Sequence, residues 1–100
     1  MNPFEMMKQM KNMQSEMKKM RSELEAQVVT GQSSRGAVVV ELTGAMQVKQ
    51  IKLDPRFLEK LDVAQLEKWI SEAMNSALEK AQKLAASQVS RLTGGMNPFA

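Results

Sequence analysis

The chain has 100 residues, a formal net charge of +3 at neutral pH and no cysteine, histidine or tyrosine. This length suits a single domain, and the absence of cysteine excludes disulfide bonds and thiolate metal sites. The absence of histidine removes the usual general base near neutral pH and the commonest metal ligand.

The N-terminal segment has the clearest pattern. Apolar residues recur with a period of 3.5 residues from Met6 to Leu24, which is the period of a coiled-coil seam. We call these residues the methionine seam: Met6, Met10, Met13, Met17, Met20 and Leu24. The pattern predicts a helix over about residues 4–26, and Pro3 and Glu5 suit its first turn. A methionine stripe is more typical of an adaptable packing surface than of a copper-binding or lipid-binding one.

Three strands are predicted in the middle of the chain. Stretches of strand composition occupy residues 27–30, 37–42 and 46–53. The segments between them, residues 31–36 and 43–45, have the composition of turns. The order predicts a three-stranded antiparallel meander.

The third predicted strand has an irregular spacing. Val48 and Ile51 are three positions apart, so they cannot share one face of a regular strand. We therefore predict a bulge or a local twist between these two residues.

A short helical turn is predicted after the sheet. Asp54 is its expected N-cap, Pro55 suits its first position, and the turn is predicted to continue to Leu61. Asp62 is expected to cap the next helix, with Gln65 in a capping-box position.

The last helix is predicted over residues 63–93, with Gly94-Gly95 as its stop. Its apolar stripe consists of Leu66, Ile70, Ala73, Ala77, Ala81 and Leu84, widened by Met74, Leu78, Ala85 and Val89. Such a helix is about 45 Å long, whereas a six-residue strand covers about 20 Å. The helix therefore overhangs the sheet, and Leu84, Val89 and Leu92 would face water in a monomer. This overhang and the methionine seam predict a homodimer.

The chain is predicted to form one domain, residues 1–100. It divides into a helical arm, a β-meander, a helical region and a flexible tail, at residues 1–26, 27–53, 54–93 and 94–100. The tail repeats the opening Met-Asn-Pro-Phe as Met96-Asn97-Pro98-Phe99. We have no physical account of this repeat.

Nothing in the sequence predicts a membrane segment. No stretch approaches the roughly 20 apolar residues that cross a bilayer. The opening residues alternate methionine with lysine and glutamine and lack the apolar run of a signal peptide. We therefore expect a cytoplasmic protein with no membrane partner.

Catalytic motifs are not evident, and we expect the protein not to be an enzyme. Asp54 and Asp62 are better explained as helix caps than as a catalytic pair. Ser33 and Ser34 have no histidine to activate them, and the nearby glycines lack the lysine pattern of a phosphate-binding loop. The carboxylates show no EF-hand spacing. We predict no metal, no cofactor and no small-molecule substrate.

The charges of the first helix are unevenly distributed around it. When the methionine seam takes the packed positions, a group of lysines falls on the opposite side of the helix. We call this group the lysine face: Lys8, Lys11, Lys18 and Lys19, which Glu5 and Glu25 interrupt. Taken alone, such a face is as consistent with solubility as with DNA binding. A dimer would present two of them together, and phosphate contacts provide much of the affinity for DNA.

Two sets of surface residues follow from this pattern. The predicted DNA-binding residues are Lys8, Lys11, Lys18, Lys19, Arg21, Lys80, Lys83 and Arg91. The predicted dimer interface consists of Met10, Met13, Met17, Val39, Trp69, Ile70 and Leu84. Arg35, in the first predicted turn, is a weaker DNA-binding candidate.

Several short motifs follow one another in an order that covers nearly the whole chain. The most specific is Ile51-Lys52-Leu53-Asp54-Pro55 followed by Leu58. The others are Met6–Gln14, Val29-Thr30-Gly31, the turn before Val38–Val40, Thr43-Gly44-Ala45, Ala73–Ala77 and Gly94-Gly95-Met96. Each motif is weak alone, but in this order they resemble the YbaB/EbfC family of nucleoid-associated proteins.

Pattern and resemblance together predict an α+β fold with a long N-terminal helix, a three-stranded antiparallel sheet, a short helical turn and a long C-terminal helix. The resemblance implies a tweezer-like homodimer with helical arms around joined sheets. It also implies binding of double-stranded DNA with broad sequence preference through the first and last helices. The expected location is the nucleoid, and the expected role is nucleoid organisation and modulation of gene expression. The alternative is a protein-interaction module whose methionine-rich arms hold a protein partner.

Overall fold

The protein consists of a helix, a three-stranded sheet and a second long helix in chain order. A computed structural model describes residues 2–92. Helix α1 spans Pro3–Ala26, and helix α2 spans Val63–Leu92. The principal extents of the molecule are 69, 25 and 17 Å, so the two helices give it an elongated shape. The predicted α+β fold is confirmed.

Helix α1 is an arm attached near its C-terminal end. It begins at Asn2, whose side-chain oxygen accepts a hydrogen bond from the backbone N–H of Glu5 at 2.8 Å, and Pro3 lies in the first turn. Among the residues of α1, all of which the structure describes, Leu24 alone is buried. It packs beside Gly44 in the turn between the second and third strands. We refer to α1 as the arm.

The sheet is the predicted antiparallel meander. Strand β1 spans Val28–Gln32, β2 spans Val38–Thr43 and β3 spans Val48–Leu53. Strand β2 lies in the centre and pairs with both neighbours. The predicted strands are confirmed, with shifts of one or two residues at their ends.

Strand β1 extends into the segment predicted as a turn. Gly31 pairs with Val40, and Gln32 pairs with Val39. The turn composition was misleading at Gly31, because this glycine is needed for close packing within the strand rather than for a turn. A Cβ atom at this position would overlap the backbone of Ala73 and Ala77 in α2.

The predicted bulge in the third strand is confirmed. Glu41 pairs with Gln50, whereas the next residue of β2, Leu42, pairs with Val48. The extra residue in β3 turns Val48 to the same face as Ile51, because one inserted residue shifts the alternation of side chains by one position.

Both predicted aspartate caps are present. Asp54 accepts a hydrogen bond from the backbone N–H of Arg56 at 3.0 Å and begins a single helical turn, Pro55–Phe57. Asp62 accepts a hydrogen bond from the backbone N–H of Gln65 at 2.7 Å at the start of α2. The first of these helical segments is shorter than predicted, since its cap and proline favour only an initial turn.

Helix α2 packs on one face of β1 and β2. The buried core consists of Val38, Val40 and Leu42 from β2 and Ala73, Ala77 and Ala81 from α2. The small alanine side chains let the helix approach the sheet closely, so the predicted stripe of α2 is its core-facing side.

Strand β3 lies beyond the edge of this helix. Val48, Ile51 and Leu53 pair with core residues of β2 and therefore lie on the side of the sheet that α2 covers elsewhere. Yet they are 54%, 44% and 41% exposed. We call these three residues the β3 apolar face. Among residues 2–92, no further strand pairs with the outer edge of β3.

Some predictions concern residues outside those described. They are the Gly94-Gly95 helix stop, the flexible tail of residues 94–100 and the repeat at Met96–Phe99. Within residues 2–92, no helix is sufficiently long and apolar to span a bilayer.

Candidate nucleic-acid interface

The lysine face lies along the exposed side of the arm. All four of its side chains, those of Lys8, Lys11, Lys18 and Lys19, are exposed. Within the part of the chain that the structure describes, none of them forms an ion pair or a hydrogen bond. Their ammonium groups are therefore available to an external anion without first breaking an internal contact.

Arg21 differs from the lysine face because it is paired within the arm. Its guanidinium lies 3.3 Å from a carboxylate oxygen of Glu25, one helical turn away. The Arg21 side chain is nevertheless 77% exposed, and an exposed pair of this kind contributes little stability. Arg21 can therefore exchange this partner for another anion at small cost.

The predicted cations of α2 occupy three different environments. Lys80 donates a hydrogen bond to the carbonyl oxygen of Thr30 at 2.7 Å, so its ammonium fastens α2 to β1. Lys83 lies 3.3 Å from a carboxylate oxygen of Glu79. Arg91 lines a small cleft between α2 and the arm. Of these three cations, Arg91 is the one that the structure places beside the arm.

A polar cleft at the start of α2 was missed in the sequence. It has a volume of about 720 Å³, and Trp69 meets Phe57 edge-to-face within its lining, with ring centroids 5.8 Å apart. Its charged lining residues are Arg35, Arg56, Lys60, Lys68, Glu59, Asp62 and Glu72. The carboxylates nearly balance the cations, so the cleft is less suited to a polyanion than the lysine face is. The cleft could not be recognised from the sequence, because Arg35 and Lys68 come from distant segments of the chain.

Two carboxylates near this cleft are stabilised in their charged form. Arg56 donates to Asp54 through its side chain and its backbone, with a closest N–O distance of 2.6 Å, and this lowers the pKa of Asp54. The backbone N–H of Ser34 donates to Glu72 at 3.0 Å and its hydroxyl donates at 2.9 Å. These two bonds lower the pKa of Glu72, the backbone bond having the larger effect. Both contacts hold the loops around the sheet in place.

The predicted dimer-interface residues do not form one patch in a single chain. Met10, Met13 and Met17 lie exposed on the arm. Trp69 and Ile70 are half-buried against the core. Val39 lies on the sheet face away from α2, and Leu84 packs beside Gly44. The β3 apolar face, which the sequence analysis did not propose, is a second uncovered apolar surface.

The described residues, 2–92, contain no cluster of three or more acidic side chains arranged to hold a metal ion. What they bring together is an elongated helix–sheet–helix scaffold with a projecting arm and a row of unpaired lysines. These features define a small α+β protein whose helical arm carries exposed lysines on one side.

The chain matches the YbaB/EbfC DNA-binding family over residues 1–96 and belongs to that family. The relationship first inferred from the sequence motifs is confirmed.

Curated relatives agree with this assignment. A nucleoid-associated protein of Dictyoglomus turgidum is 40% identical over 95% of this chain and 91% of its own length. Another from Chloroflexus aggregans is 36% identical over 96% of each chain. A third, from Paramagnetospirillum magneticum, is 39% identical over 92% of this chain and 86% of its own.

A solved structure shares the fold. The crystal structure of the uncharacterized protein HP0035 from Helicobacter pylori superposes with a TM-score of 0.83. It covers 93% of this chain and 98% of the other at 16% sequence identity. At that identity the similarity supports the fold and carries no conclusion about function.

Proposed function

We propose that this protein is a homodimeric nucleoid-associated protein that binds double-stranded DNA with broad sequence preference. Its place is the nucleoid in the cytoplasm, where it organises DNA and modulates gene expression. The function is a binding function without catalysis, cofactor or small-molecule substrate. Membership of a DNA-binding family and the nucleoid-associated names of its relatives support the proposal.

The observation that carries the proposal is the lysine face. Four exposed lysines on one side of one helix, without internal partners among residues 2–92, match what a phosphate backbone requires. The net charge of +3 is too small to explain binding by itself, so the arrangement of the lysines matters more than their total number.

Broad sequence preference follows from the kind of contact that lysine makes. Phosphate contacts hold a protein on DNA but carry no sequence information directly, whereas base-edge contacts do. The ammonium group of lysine is a compact charge without the planar pair of hydrogen-bonding groups that arginine, asparagine and glutamine use at base edges, so it suits phosphate contacts.

The homodimer is supported by the β3 apolar face. Three aliphatic side chains on one strand would lose contact with water if a second copy packed against them, and burial of apolar area stabilises association. Large apolar patches on soluble proteins frequently mark such interfaces.

Charge-matched variants test the role of the lysine face. Replacement of Lys8, Lys11, Lys18 and Lys19 by glutamine should weaken binding to a labelled 30-base-pair duplex, measured by fluorescence anisotropy at low salt. The homodimer loses up to eight phosphate contacts, four from each copy, so the slope of log affinity against log salt should become less negative by up to about 7, or about 0.9 for each contact removed. The matched control replaces Lys49, Lys52, Lys60 and Lys68 by glutamine, which removes the same charge away from the arm.

The control variant should keep most of the wild-type affinity and slope. Equal losses in both variants would show that total charge alone governs binding, and this would contradict an interface on the arm.

The alternative function is a module that holds a protein partner. The observation that favours it is the exposure of the methionine seam, since Met10, Met13 and Met17 are between 53% and 65% exposed. Methionine-rich surfaces adapt to varied partners. Stoichiometric co-purification of another protein, combined with an absence of salt-dependent DNA binding, would favour this alternative over the first.

A further inference from the structure

The sheet has two outer edges, and strand β1 forms one of them. Gln27 and Ser33, which flank this strand, each form a backbone hydrogen bond of 2.9 Å on the side of β2. Bonded and non-bonded positions alternate along an antiparallel pair, so the alternate residues between these two direct their backbone groups outward. They are Val28, Thr30 and Gln32. Outward N–H and C=O groups of this kind can pair with a strand of another chain.

Lys80 occupies the middle of the β1 edge. Its ammonium group donates a hydrogen bond to the carbonyl oxygen of Thr30 at 2.7 Å, and Thr30 is the central one of the three outward-facing residues. Helix α2 brings the lysine there, because it packs so closely on β1 that a Cβ atom at Gly31 would overlap its backbone at Ala77. A charged side chain at a sheet edge is one of the means by which proteins prevent strand addition.

The opposite edge, formed by β3, has no such contact. The backbone N–H of Asp54 donates to the carbonyl oxygen of Ala37 at 2.9 Å, so by the same alternation Ile51 and Leu53 direct their backbone groups outward. Within residues 2–92, no side chain forms a hydrogen bond with these groups. The β3 apolar face lies beside this open edge.

This difference between the edges limits how far assembly can proceed. A two-fold contact uses the same surface on both copies, so an assembly with one such contact stops at two copies. If the β1 edges also accepted another copy, each dimer would present two of them and growth would continue as a ribbon. A copy that approached the β1 edge would bring its own Lys80, and two ammonium groups would lose their carbonyl partners and their hydration.

We propose that Lys80 closes the β1 edge against a second copy and thereby limits assembly through the sheet to a dimer. The inference goes beyond the homodimer proposed above and rests on it only for the number of copies. On DNA, such dimers occupy the duplex as separate units rather than as a growing filament.

Replacement of Lys80 by methionine tests the proposal, because it keeps an aliphatic side chain and removes the donor and the charge. The measurement is sedimentation velocity of the full-length protein without DNA, over about a hundredfold range of concentration. Wild-type dimers should keep one sedimentation coefficient, whereas that of Lys80→Met should rise by about twofold or more as larger species form. The matched control, Lys68→Met, removes the same charge from another exposed position of α2 and should sediment as the wild-type protein does.

A second change separates edge protection from a loss of stability. Val28 is a 43% exposed residue of β1, and its pairing with Thr43 places its side chain on the sheet face away from α2. In the Lys80→Met background, Val28→Lys restores a charge at the same edge and should return the protein to the dimer. Assembly caused by partial unfolding would not be reversed by this change, and thermal unfolding followed by circular dichroism measures the stability of each variant.

DNA coverage provides an additional readout. Binding of the wild-type protein to a duplex that accommodates several dimers should have a Hill coefficient of about 1. Lys80→Met should bind with a higher coefficient, because neighbouring dimers would then contact each other. The coefficient is independent of the affinity, which the lost charge lowers by itself.

The proposal is overturned if Lys80→Met unfolds cooperatively and sediments as the wild-type protein does, since Lys80 would then only fasten α2 to β1. Wild-type species that grow beyond a dimer with concentration would also overturn it. An absence of DNA binding would contradict the proposed function and leave the sedimentation result unaffected. A wild-type monomer would contradict the proposed homodimer, whereas growth of Lys80→Met into larger species would still support closure of the β1 edge.

Discussion

Gly31 is the residue at which the close packing of the sheet on helix α2 leaves the least room for a side chain. Its missing side chain lets β1 lie directly against the backbone of α2 at Ala73 and Ala77. Gly36 has a different reason to be glycine. Space around it is open, since a Cβ atom added there would lie 3.5 Å from the nearest side-chain atom, but its φ angle of +66° is unfavourable for other residues.

Alanine substitutions separate these two reasons. Gly31→Ala should lower the free energy of unfolding by about 3 kcal/mol, because the added methyl group forces β1 away from α2. Gly36→Ala should cost about 1 kcal/mol, which is the conformational penalty alone. Urea unfolding followed by circular dichroism measures both. Equal costs would show that β1 does not approach α2 as closely as described.

The hydrogen bonds from Ser34 to Glu72 make the stability of the protein depend on pH. The pKa of Glu72 is lower in the folded state than its ordinary value of 4.5. The ionised carboxylate therefore contributes fully to folding stability above pH 4.5, and this contribution is lost as the pH falls through the folded-state pKa. Stability should therefore decrease on acidification.

The prediction is that Glu72→Gln reduces this acid dependence. As the pH falls below the ordinary value of 4.5, the variant should lose less stability than the wild-type protein, since glutamine does not titrate. Ser34→Ala should produce a change in the same direction because it removes one of the two donors. If urea unfolding shows the same loss of stability at acidic pH for the wild-type protein and Glu72→Gln, the contact between Ser34 and Glu72 is contradicted.

At the scale of secondary-structure elements, the arm is held by few contacts. Leu24 is its one buried residue, and it packs beside Gly44 and Leu84. An apolar cleft of about 510 Å³ opens beside it, between the arm, the β2–β3 turn and α2. The direction of the arm therefore depends on a small area near its C-terminal end.

Leu24→Ala should loosen the arm from the sheet. A buried leucine-to-alanine change costs about 3 kcal/mol, and the freed helix should become more sensitive to limited proteolysis between residues 3 and 26. Phe4→Ala is the matched control, since Phe4 is 78% exposed and its change should alter stability by less than about 0.5 kcal/mol. Similar protease sensitivity in both variants would indicate that Leu24 is not the anchor.

Local sequence patterns were sufficient to predict most elements. The Asp54 and Asp62 caps depend on residues within three positions, and the bulge follows from the spacing of Val48 and Ile51. What could not be predicted depends on how α2 lies across the sheet. The sequence does not indicate that this helix leaves β3 uncovered, nor that Lys80 reaches the carbonyl of Thr30.

In the candidate site, too, local sequence patterns predicted some features, whereas others depend on tertiary structure. The lysine face could be predicted, because its members share one helix and helical periodicity alone places them on one side. The polar cleft could not, because it joins Arg35 to Lys68 and Glu72 through tertiary structure.

For the whole molecule, the β3 apolar face predicts a dependence of assembly on Ile51. Ile51→Glu should shift the protein from dimer to monomer in sedimentation velocity, because a carboxylate in an apolar interface loses its hydration. Gln50→Glu carries the same charge on the opposite sheet face and should remain dimeric. If both variants stay dimeric, β3 does not contribute to the interface.

The central claim concerns DNA binding by the assembled protein. The most direct test is anisotropy of two labelled duplexes of unrelated sequence, measured with the wild-type protein across a salt series. Both duplexes should bind with affinities within about threefold of each other, and log affinity should fall linearly with log salt by about 0.9 per phosphate contacted. The absence of binding at low salt, or a strong and salt-insensitive preference for one duplex, would contradict the proposed function.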